Sequence, residues 1–342
     1  MRRLALWLLA VVLCVPVWGQ TEKSRLLIRA FGDVNLGRAV GQELLKGNVD
    51  YPFEYVRGLL QPADIVFVNL ESQLSEQGGE TQHPKDNYVF CGPPVGAQTL
   101  KRAGVTIVST ANNHAYDYRM KGLQETIQYL RQEDIRYVGT SEDSVSWFPP
   151  VVVERNGIRL GFVAYTEFVN IAGPWKGRIS TFDRSRARRE IDSARHVADI
   201  VIASYHGGSE YTDEPQKLTQ AQMRFLADAG ADIVLGHHAH VPQGIEERNG
   251  RLIFYSLGNF VFYQPQRIWT QTGIGVEIVV ARSNGKVSIQ DVRIIPVRAG
   301  KQPTLILSEA ERTALWERLQ RLSNVTIDQQ ESSLVIRRTP NP

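Results

Sequence analysis

The chain has 342 residues, of which 42% are hydrophobic and 22% are charged. This composition is typical of globular proteins, and it provides enough apolar side chains for one large domain or two small ones. The net charge is +3, but without Arg2 and Arg3 the 39 basic residues become 37 against 36 acidic ones. Because the balance is so even and no basic block is interleaved with aromatic residues, we expect no nucleic-acid partner.

The first segment of the chain has the pattern of an export signal. Arg2 and Arg3 precede the apolar stretch Leu4 to Val17, and Val17-Trp18-Gly19 offers a cleavage site before Gln20. A membrane span needs about 20 apolar residues, so this stretch is short for one. We therefore expect a signal peptide over residues 1–19 and an exported protein, periplasmic or extracellular. An uncleaved membrane anchor is the alternative.

Short apolar runs alternate with helical stretches along the rest of the chain. The runs are bounded by Gly, Asp, Asn or Pro, which is typical of strands that are buried on both faces. The predicted strands are residues 25–31, 63–70, 104–110, 158–166, 198–206, 231–236 and 251–257. Amphipathic helices are predicted over 123–135 and 217–230, the second with Gly230 as its C-cap. This alternation indicates an α/β fold with one or two central sheets.

The pattern changes after residue 263. Residues 274–297 predict two antiparallel strands joined at Asn284-Gly285, a pair typical of hairpin turns. Residues 308–323 predict a helix whose start has a capping-box pattern, Ser308 with Glu311 three residues later. We therefore predict one α/β domain over residues 20–300 and a helical extension over 301–342.

Polar residues that can bind metals follow six of the apolar runs. The residues at these strand ends are Asp33, Asn35, Asn69, Glu71, Asn112, Asn113, His114, Asp117, His206, His237, His238, His240 and Asn259. In open α/β sheets ligands bind beyond the carboxyl ends of the strands. Taken singly, each of these residues is an ordinary turn or buried polar residue. Their recurrence in the same position favours one convergent site.

Oxygen and imidazole donors without a thiolate suit Mn²⁺, Fe or Zn²⁺, and two such ions can share a bridging carboxylate. His238 and His240 are separated by one residue, so an extended strand would point them to opposite faces. A tight turn would aim both at metals. This arrangement predicts that the "GHHAH" segment (236–240) serves two metal positions.

Several motifs together resemble the CapA family of capsule synthesis and poly-γ-glutamate biosynthesis proteins, which is related to the calcineurin-like metallophosphoesterases. They are "GDVNLGR", "VNLES", "ANNHAYDY", "SYHGGSEY", "GADIVLGHHAHVPQGIE" and "LIFYSLGNFVF", spanning about residues 26–263. The resemblance implies a four-layer αββα sandwich, two sheets between layers of helices, with the site at the strand ends.

The resemblance also implies a role for each motif residue. Asp33 and Asn113 match metal ligands, as do His206, His238 and His240. Two further ligand positions depart from the superfamily pattern. Asn35 stands where the superfamily usually has histidine, and Glu71 takes the place of the bridging aspartate.

The remaining motif residues are expected around these ligands. His114 corresponds to the catalytic histidine that approaches the leaving group. His237 is either a supporting residue of the site or structural. Lys85 either faces an anionic substrate or is a solvated loop residue. Asn259 either supports the site or forms a turn.

Three functions are consistent with this pattern. The first is metal-dependent phosphoester hydrolysis with two divalent ions, with an anionic polymer or a phosphoester as substrate. The second is a non-catalytic role with a degenerate metal site, in which the protein binds polymer and assists its export, in association with a membrane complex for polymer synthesis. The third is hydrolysis of amide bonds in a γ-glutamyl polymer.

Overall fold

The computed structural model describes residues 24–330 and 333–337, so the predicted signal peptide lies outside the described residues. In these ranges the strands are β1 Arg25–Val34, β2 Ile65–Leu70, β3 Gln73–Leu74, β4 Cys91–Gly92, β5 Ile107–Ser109, β6 Arg136–Val138, β7 Val151–Arg155, β8 Ile158–Thr166, β9 Ile200–His206, β10 Ile233–His237, β11 Ile245–Arg248, β12 Arg251–Phe254, β13 Asn259–Val261, β14 Thr272–Ser283, β15 Lys286–Arg298, β16 Thr304–Leu305, β17 Thr326–Gln329 and β18 Leu334–Arg337. The helices are α1 Arg38–Leu45, α2 Arg57–Leu60, α3 Gly96–Ala103, α4 Arg119–Gln132, α5 Arg184–Val197, α6 Lys217–Ala229 and α7 Glu309–Leu322. Short 3-10 turns occupy Tyr51–Phe53 and Trp269–Gln271.

Most strands belong to two mixed sheets. The larger has the order β17-β18-β15-β14-β1-β2-β5-β6, with β13 beside β1 and β16 beside β15. The smaller has the order β11-β12-β10-β9-β8-β7. The strands β1, β2, β5 and β6 are parallel in one sheet, and β8, β9, β10 and β12 are parallel in the other. Their carboxyl ends therefore gather the loops that follow them.

The two faces of each sheet bury different sets of side chains. Leu26 and Ile28 of β1 lie in a core shared with Phe162 and Ile202 of the smaller sheet, so this core fills the space between the sheets. Phe31 belongs to a second core beneath α1 and α3, and a third core joins α5 and α6 to the outer face of the smaller sheet. Each such apolar side chain stabilises the fold by about 1.5–3 kcal/mol when it is fully buried. The structure confirms the four-layer αββα sandwich.

The local predictions hold where neighbouring residues determine the conformation. The strand β8 has the predicted bounds, Gly230 ends α6 with φ 126°, and Asn284-Gly285 turns the β14–β15 hairpin with φ 50° and 78°. The helix predicted over 123–135 instead covers Arg119–Gln132. It ends early because Asp134 adopts φ 52° and directs the chain into β6.

The C-terminal region differs from the predicted helical extension. It contains α7, but β18 also pairs with β15 and places residues 334–337 in the larger sheet. The helix α7 begins where predicted, yet the Ser308 side chain makes no capping hydrogen bond. The predicted capping box does not form because the carboxylate of Glu311 accepts a hydrogen bond from Arg298 instead. In residues 24–330 and 333–337, no helix has the length and apolar character that a membrane crossing needs.

Candidate metal centre

The ends of four strands bring five predicted ligands together in the interior. These side chains are at most 4% exposed: Asp33, Glu71, His206, His238 and His240. Asp33 is at the end of β1, Glu71 follows β2, and His206 ends β9. Two glycines allow the backbones to approach here. A Cβ on Gly32 would lie 1.8 Å from the carbonyl oxygen of Gly258, and one on Gly236 would lie 2.0 Å from that of Tyr255.

The ligand atoms form two groups of three. Asp33, Glu71 and His240 make one group, and Glu71, His206 and His238 make the other. Within each group the ligand atoms all lie within 4.8 Å of one another. Because Glu71 is common to both, the arrangement provides two adjacent positions that share one carboxylate, as two-metal sites do.

A strained turn directs the two final histidines into this site. His238 has φ 88° and His240 has φ 57°, both in the left-handed region that non-glycine residues rarely adopt. Such a conformation costs about 1–3 kcal/mol per residue and persists where the surrounding structure enforces it. The backbone N–H of His238 donates to the carboxylate of Asp33 over 3.3 Å. The predicted tight turn therefore forms, and both imidazoles face the same site.

The donor atoms at the centre of the site lack protein partners. Both oxygens of Glu71 and Nδ1 of His238 are buried without a hydrogen bond among the described residues. A buried carboxylate without a partner is strongly unfavourable unless it is paired or binds a metal. The unpaired oxygen and imidazole donors suit Mn²⁺, Fe or Zn²⁺. The side chains present therefore fit a pair of divalent ions.

Burial also sets the protonation of these groups. Burial, reinforced by the charges of Asp33 and Glu210, raises the pKa of Glu71 well above its usual value. Burial lowers the pKa of His206 well below its usual value and that of His238 to about 3. These two imidazoles are therefore neutral at physiological pH, which is the form that binds metals.

The pKa of Asp33 is shifted in the opposite direction to that of Glu71. Burial favours its neutral form, but the adjacent imidazoles of His237 and His240 outweigh burial and hold the pKa of Asp33 well below its usual value. The Nδ1 atoms of these histidines lie 3.4 and 3.3 Å from its carboxylate oxygens. Asp33 is therefore ionised, and His237 lies against a ligand carboxylate as well as 6.2 Å from the ring of Phe67.

The predicted catalytic histidine is held at the edge of the site. The Nδ1 of His114 lies 2.8 Å from Oδ2 of Asp117, and its ring lies 4.3 Å from that of Phe90. Burial raises the pKa of Asp117. With Nδ1 engaged, Nε2 is the nitrogen that remains for proton transfer. The neighbouring Asn113 places Oδ1 2.8 Å from Nε2 of His206, at the second group of ligands.

The side-chain amides of two asparagines contact the candidate ligands and orient them. Asn69 donates to Asp33 over 2.8 Å and lies 3.2 Å from Nδ1 of His206, and Asn259 places Oδ1 2.8 Å from Nδ1 of His240. Asn259 thus contacts a candidate ligand, and its supporting role stays a prediction. Asn69 was predicted only as one of the strand-end polar residues, two positions before Glu71, and no individual role was assigned to it.

Two predicted site residues have other neighbours. Oδ1 of Asn35 accepts a hydrogen bond from the N–H of Gly37 over 2.8 Å, in a local turn of the kind asparagine often forms. Lys85 is exposed in the loop between β3 and β4, where its N–H donates to His83. The metal-ligand role of Asn35 and the substrate role of Lys85 stay predictions.

Aromatic and charged side chains that were not predicted surround the site. The rings of Phe168 and Phe262 lie 5.1 Å from His238 and 4.8 Å from His240, respectively. Glu210 places Oε1 3.9 Å from Nε2 of His240. Local sequence patterns do not identify these contacts, because they join segments that are distant along the chain.

Comparisons with known proteins identify the family of the chain. The family model described as "Bacterial capsule synthesis protein PGA_cap" matches residues 27–264. The capsule biosynthesis protein CapA of Bacillus anthracis is 29% identical over 330 residues, 91% of this chain and 79% of that protein. The PGA biosynthesis protein CapA of Bacillus subtilis is 31% identical over 245 residues, 70% of this chain and 63% of that protein. Among solved structures, the calcineurin-like phosphoesterase YfkN from Bacillus subtilis is similar with a TM-score of 0.44 and 15% identity, over 80% of this chain and 90% of that one. The chain belongs to the bacterial capsule synthesis protein family PGA_cap.

Proposed function

We propose that this protein is a two-metal hydrolase of the phosphoesterase type that serves the synthesis or export of an anionic capsule polymer. The observation that carries the proposal is the carboxylate of Glu71, which is common to both ligand groups and has both oxygens buried without a hydrogen bond among the described residues. The polymer role rests on family membership and on the name of the Bacillus subtilis relative, a PGA biosynthesis protein.

Each group of residues has a distinct task in this proposal. Two divalent ions, when bound, lower the pKa of water and stabilise negative charge that develops on the electrophile. The candidate ligands are Asp33, Asn113 and the residues of the two groups. Burial keeps the imidazoles of His206 and His238 neutral for metal binding. His114 donates a proton to the leaving oxygen from Nε2, while Asp117 fixes its ring through Nδ1. Phe90 packs on that ring and limits its movement.

We also propose that the protein acts outside the cytoplasm. This proposal rests on the sequence of residues 1–20, with its basic start, apolar stretch and cleavage site. Capsule polymers are assembled at the cell surface, so this location would bring the metal centre to its substrate. Mass spectrometry of the N-terminus of the protein secreted by its host tests the proposal. A mature chain that retains Met1 and stays in the cytoplasm would reject it.

Hydrolysis is tested with the purified protein, its metal content and p-nitrophenyl phosphate as substrate. We expect Mn²⁺-dependent turnover that falls about 100-fold or more in His240→Ala, with loss of bound metal. The matched control is His196→Ala, because His196 is an exposed histidine on α5. Turnover that needs no metal, or that is equal in both variants, would reject the hydrolytic function.

A non-catalytic role is the second candidate, and the local turn at Asn35 favours it. Asparagine stands where the superfamily usually has a histidine ligand, and its oxygen also accepts a hydrogen bond from Gly37, so this ligand position is weakened. Complementation of a deletion strain separates the two functions. If a His206→Ala/His240→Ala variant restores surface polymer, the protein acts without catalysis. If the intact protein alone restores it, the metal centre is required.

A further inference from the structure

A cationic cavity adjoins the metal centre. It has a volume of about 240 Å³, and Arg38, Gln82, Phe262, Tyr263 and Lys301 are among its lining residues. Of the described residues that line it, two are cationic and none is acidic. Such a cavity favours an anionic group, because its two positive charges are not neutralised within it.

The backbone of Arg38, which lines this cavity, has a strained conformation. It is the first residue of α1 and adopts φ 51°, in the left-handed region. Its guanidinium lies 4.6 Å from the centre of the Phe90 ring, and Nη2 donates to the carbonyl oxygen of Asn87 over 2.6 Å. Nε is buried without a hydrogen-bond partner, and Arg38 forms no ion pair within the described residues. Most of its five donors are therefore available to a ligand.

Lys301 provides the second positive charge. Its Nζ lies 4.9 Å from the centre of the Tyr263 ring, and it forms no salt bridge within the described residues, although the charge of Glu43 acts on it at longer range. Tyr263 is 52% exposed, so this end of the cavity opens to solvent. A ligand can therefore enter from the side of Lys301 and reach Arg38 at the inner end.

Two aromatic rings connect the cavity to the catalytic groups. Phe90 lies under Arg38 and 4.3 Å from the ring of His114. Phe262 lines the cavity and lies 4.8 Å from the ring of His240. A single aromatic ring, Phe90 or Phe262, thus lies between an anionic group in the cavity and a histidine of the candidate site.

We propose that Arg38 and Lys301 form a subsite for a second anionic group of the substrate, a carboxylate or a phosphate, next to the group that reacts at the metal centre. This inference rests on the proposed function and makes its substrate a polyanion. Arg38 binds the anion through charge-assisted hydrogen bonds, and Lys301 supplies a second charge at the entrance. The subsite selects substrates that carry a charge on each side of the scissile bond.

The test is calorimetric titration of the Mn²⁺-loaded protein with two probes, tri-γ-glutamate for the carboxylate and methylenediphosphonate for the phosphate. We expect Arg38→Gln and Lys301→Gln each to weaken binding of the preferred probe about tenfold, and Arg38→Lys to weaken it less. The matched control is Arg119→Gln. Arg119 also begins a helix at positive φ (58°) and donates to a backbone carbonyl, that of Ala172, so this variant should bind like the wild type.

Each result has a defined meaning. Selective binding of tri-γ-glutamate identifies a carboxylate polymer, and selective binding of methylenediphosphonate identifies a phosphate-containing one; both support the subsite. Equal affinity of the wild type and Arg38→Gln, or binding of neither probe, overturns it. Loss of bound Mn²⁺ from Arg38→Gln also overturns it, because the arginine would then support the metal centre. The titration needs no turnover, so absent hydrolysis with an intact binding pattern rejects the proposed function alone.

Discussion

Replacement of Glu71 by glutamine should stabilise the metal-free protein and abolish its response to metal. Glu71 is fully buried, and both of its oxygens lack a hydrogen-bond partner among the described residues. Its raised pKa shows that the interior disfavours the charged carboxylate. Glutamine has the same shape without the charge, so the variant removes that unfavourable interaction and one shared ligand of both metal positions.

Compared with the wild type, the Glu71→Gln variant should be more stable without metal and less stable with it. Burying an unpaired charge costs more than burying a neutral amide, so Glu71→Gln should raise the free energy of unfolding by about 2 kcal/mol in EDTA at pH 8. In a chain of this size, that change raises Tm by about 3 °C. At a Mn²⁺ concentration 100 times Kd, the wild type should gain about 2.7 kcal/mol for each bound ion, and the variant should gain nothing.

Thermal unfolding in EDTA and in Mn²⁺ measures both effects. Glu190→Gln is the control, because Glu190 is also a buried acid with a raised pKa. Glu190 accepts a hydrogen bond from the N–H of Phe148 over 2.7 Å and lies 3.4 Å from Nε of Arg186. Its glutamine variant should lose stability equally in EDTA and in Mn²⁺. A Glu71→Gln protein that is less stable than the wild type in EDTA, or that gains as much from Mn²⁺, would refute the reasoning.

Three further predictions concern catalysis, pH and packing. Asp117→Asn should lower kcat about 100-fold in steady-state assays without loss of bound metal, since it misorients His114; unchanged kcat would contradict this role. The pKa values of His206 and His238 are lowered in the folded protein. In the metal-free protein, these histidines therefore contribute stability above pH 6.5. This stability is lost as the pH falls, because the unfolded chain then takes up protons that the folded protein does not. Denaturation of the metal-free protein between pH 7 and 5 should show that the free energy of unfolding falls with pH, by a slope approaching about 1.4 kcal/mol per pH unit for each histidine. Glu71 opposes this loss, because its raised pKa favours the folded state at lower pH. A free energy of unfolding that rises as the pH falls would contradict the prediction. Gly32→Ala should destabilise by about 3 kcal/mol in urea unfolding, because its Cβ would meet a carbonyl oxygen at 1.8 Å; wild-type stability would show that β1 can shift.

The sequence predicts elements well where neighbouring residues decide them. The strand β8 follows the Asn156-Gly157 turn, and both residues have positive φ, so its start is set locally. The hairpin turn at Asn284-Gly285 is set in the same way. The addition of β18 to the larger sheet could not be predicted, because its pairing partner in β15 is about 40 residues earlier and no local pattern marks the register.

In the candidate site, too, some residues could be predicted from the local sequence and others depend on contacts between distant segments. Strand-end position identified Asp33, Glu71 and the histidines, because parallel strands deliver their following residues to one edge. The ligand role of Asn35 stays a prediction, since the contact that the structure gives for its oxygen is the local hydrogen bond from Gly37. Arg38 was missed although it lies in the "GDVNLGR" motif. Its environment depends on Phe90 and Phe262, whose approach only the assembled sheets and loops determine.

The central claim is that Glu71 bridges two metal positions. It is tested most directly by a crystal structure of the Mn²⁺-loaded protein with anomalous scattering measured at the manganese edge. We predict two anomalous peaks on either side of the Glu71 carboxylate, one beside Asp33 and His240 and the other beside His206 and His238. A single peak, or peaks at which Glu71 is not a ligand, would contradict the claim.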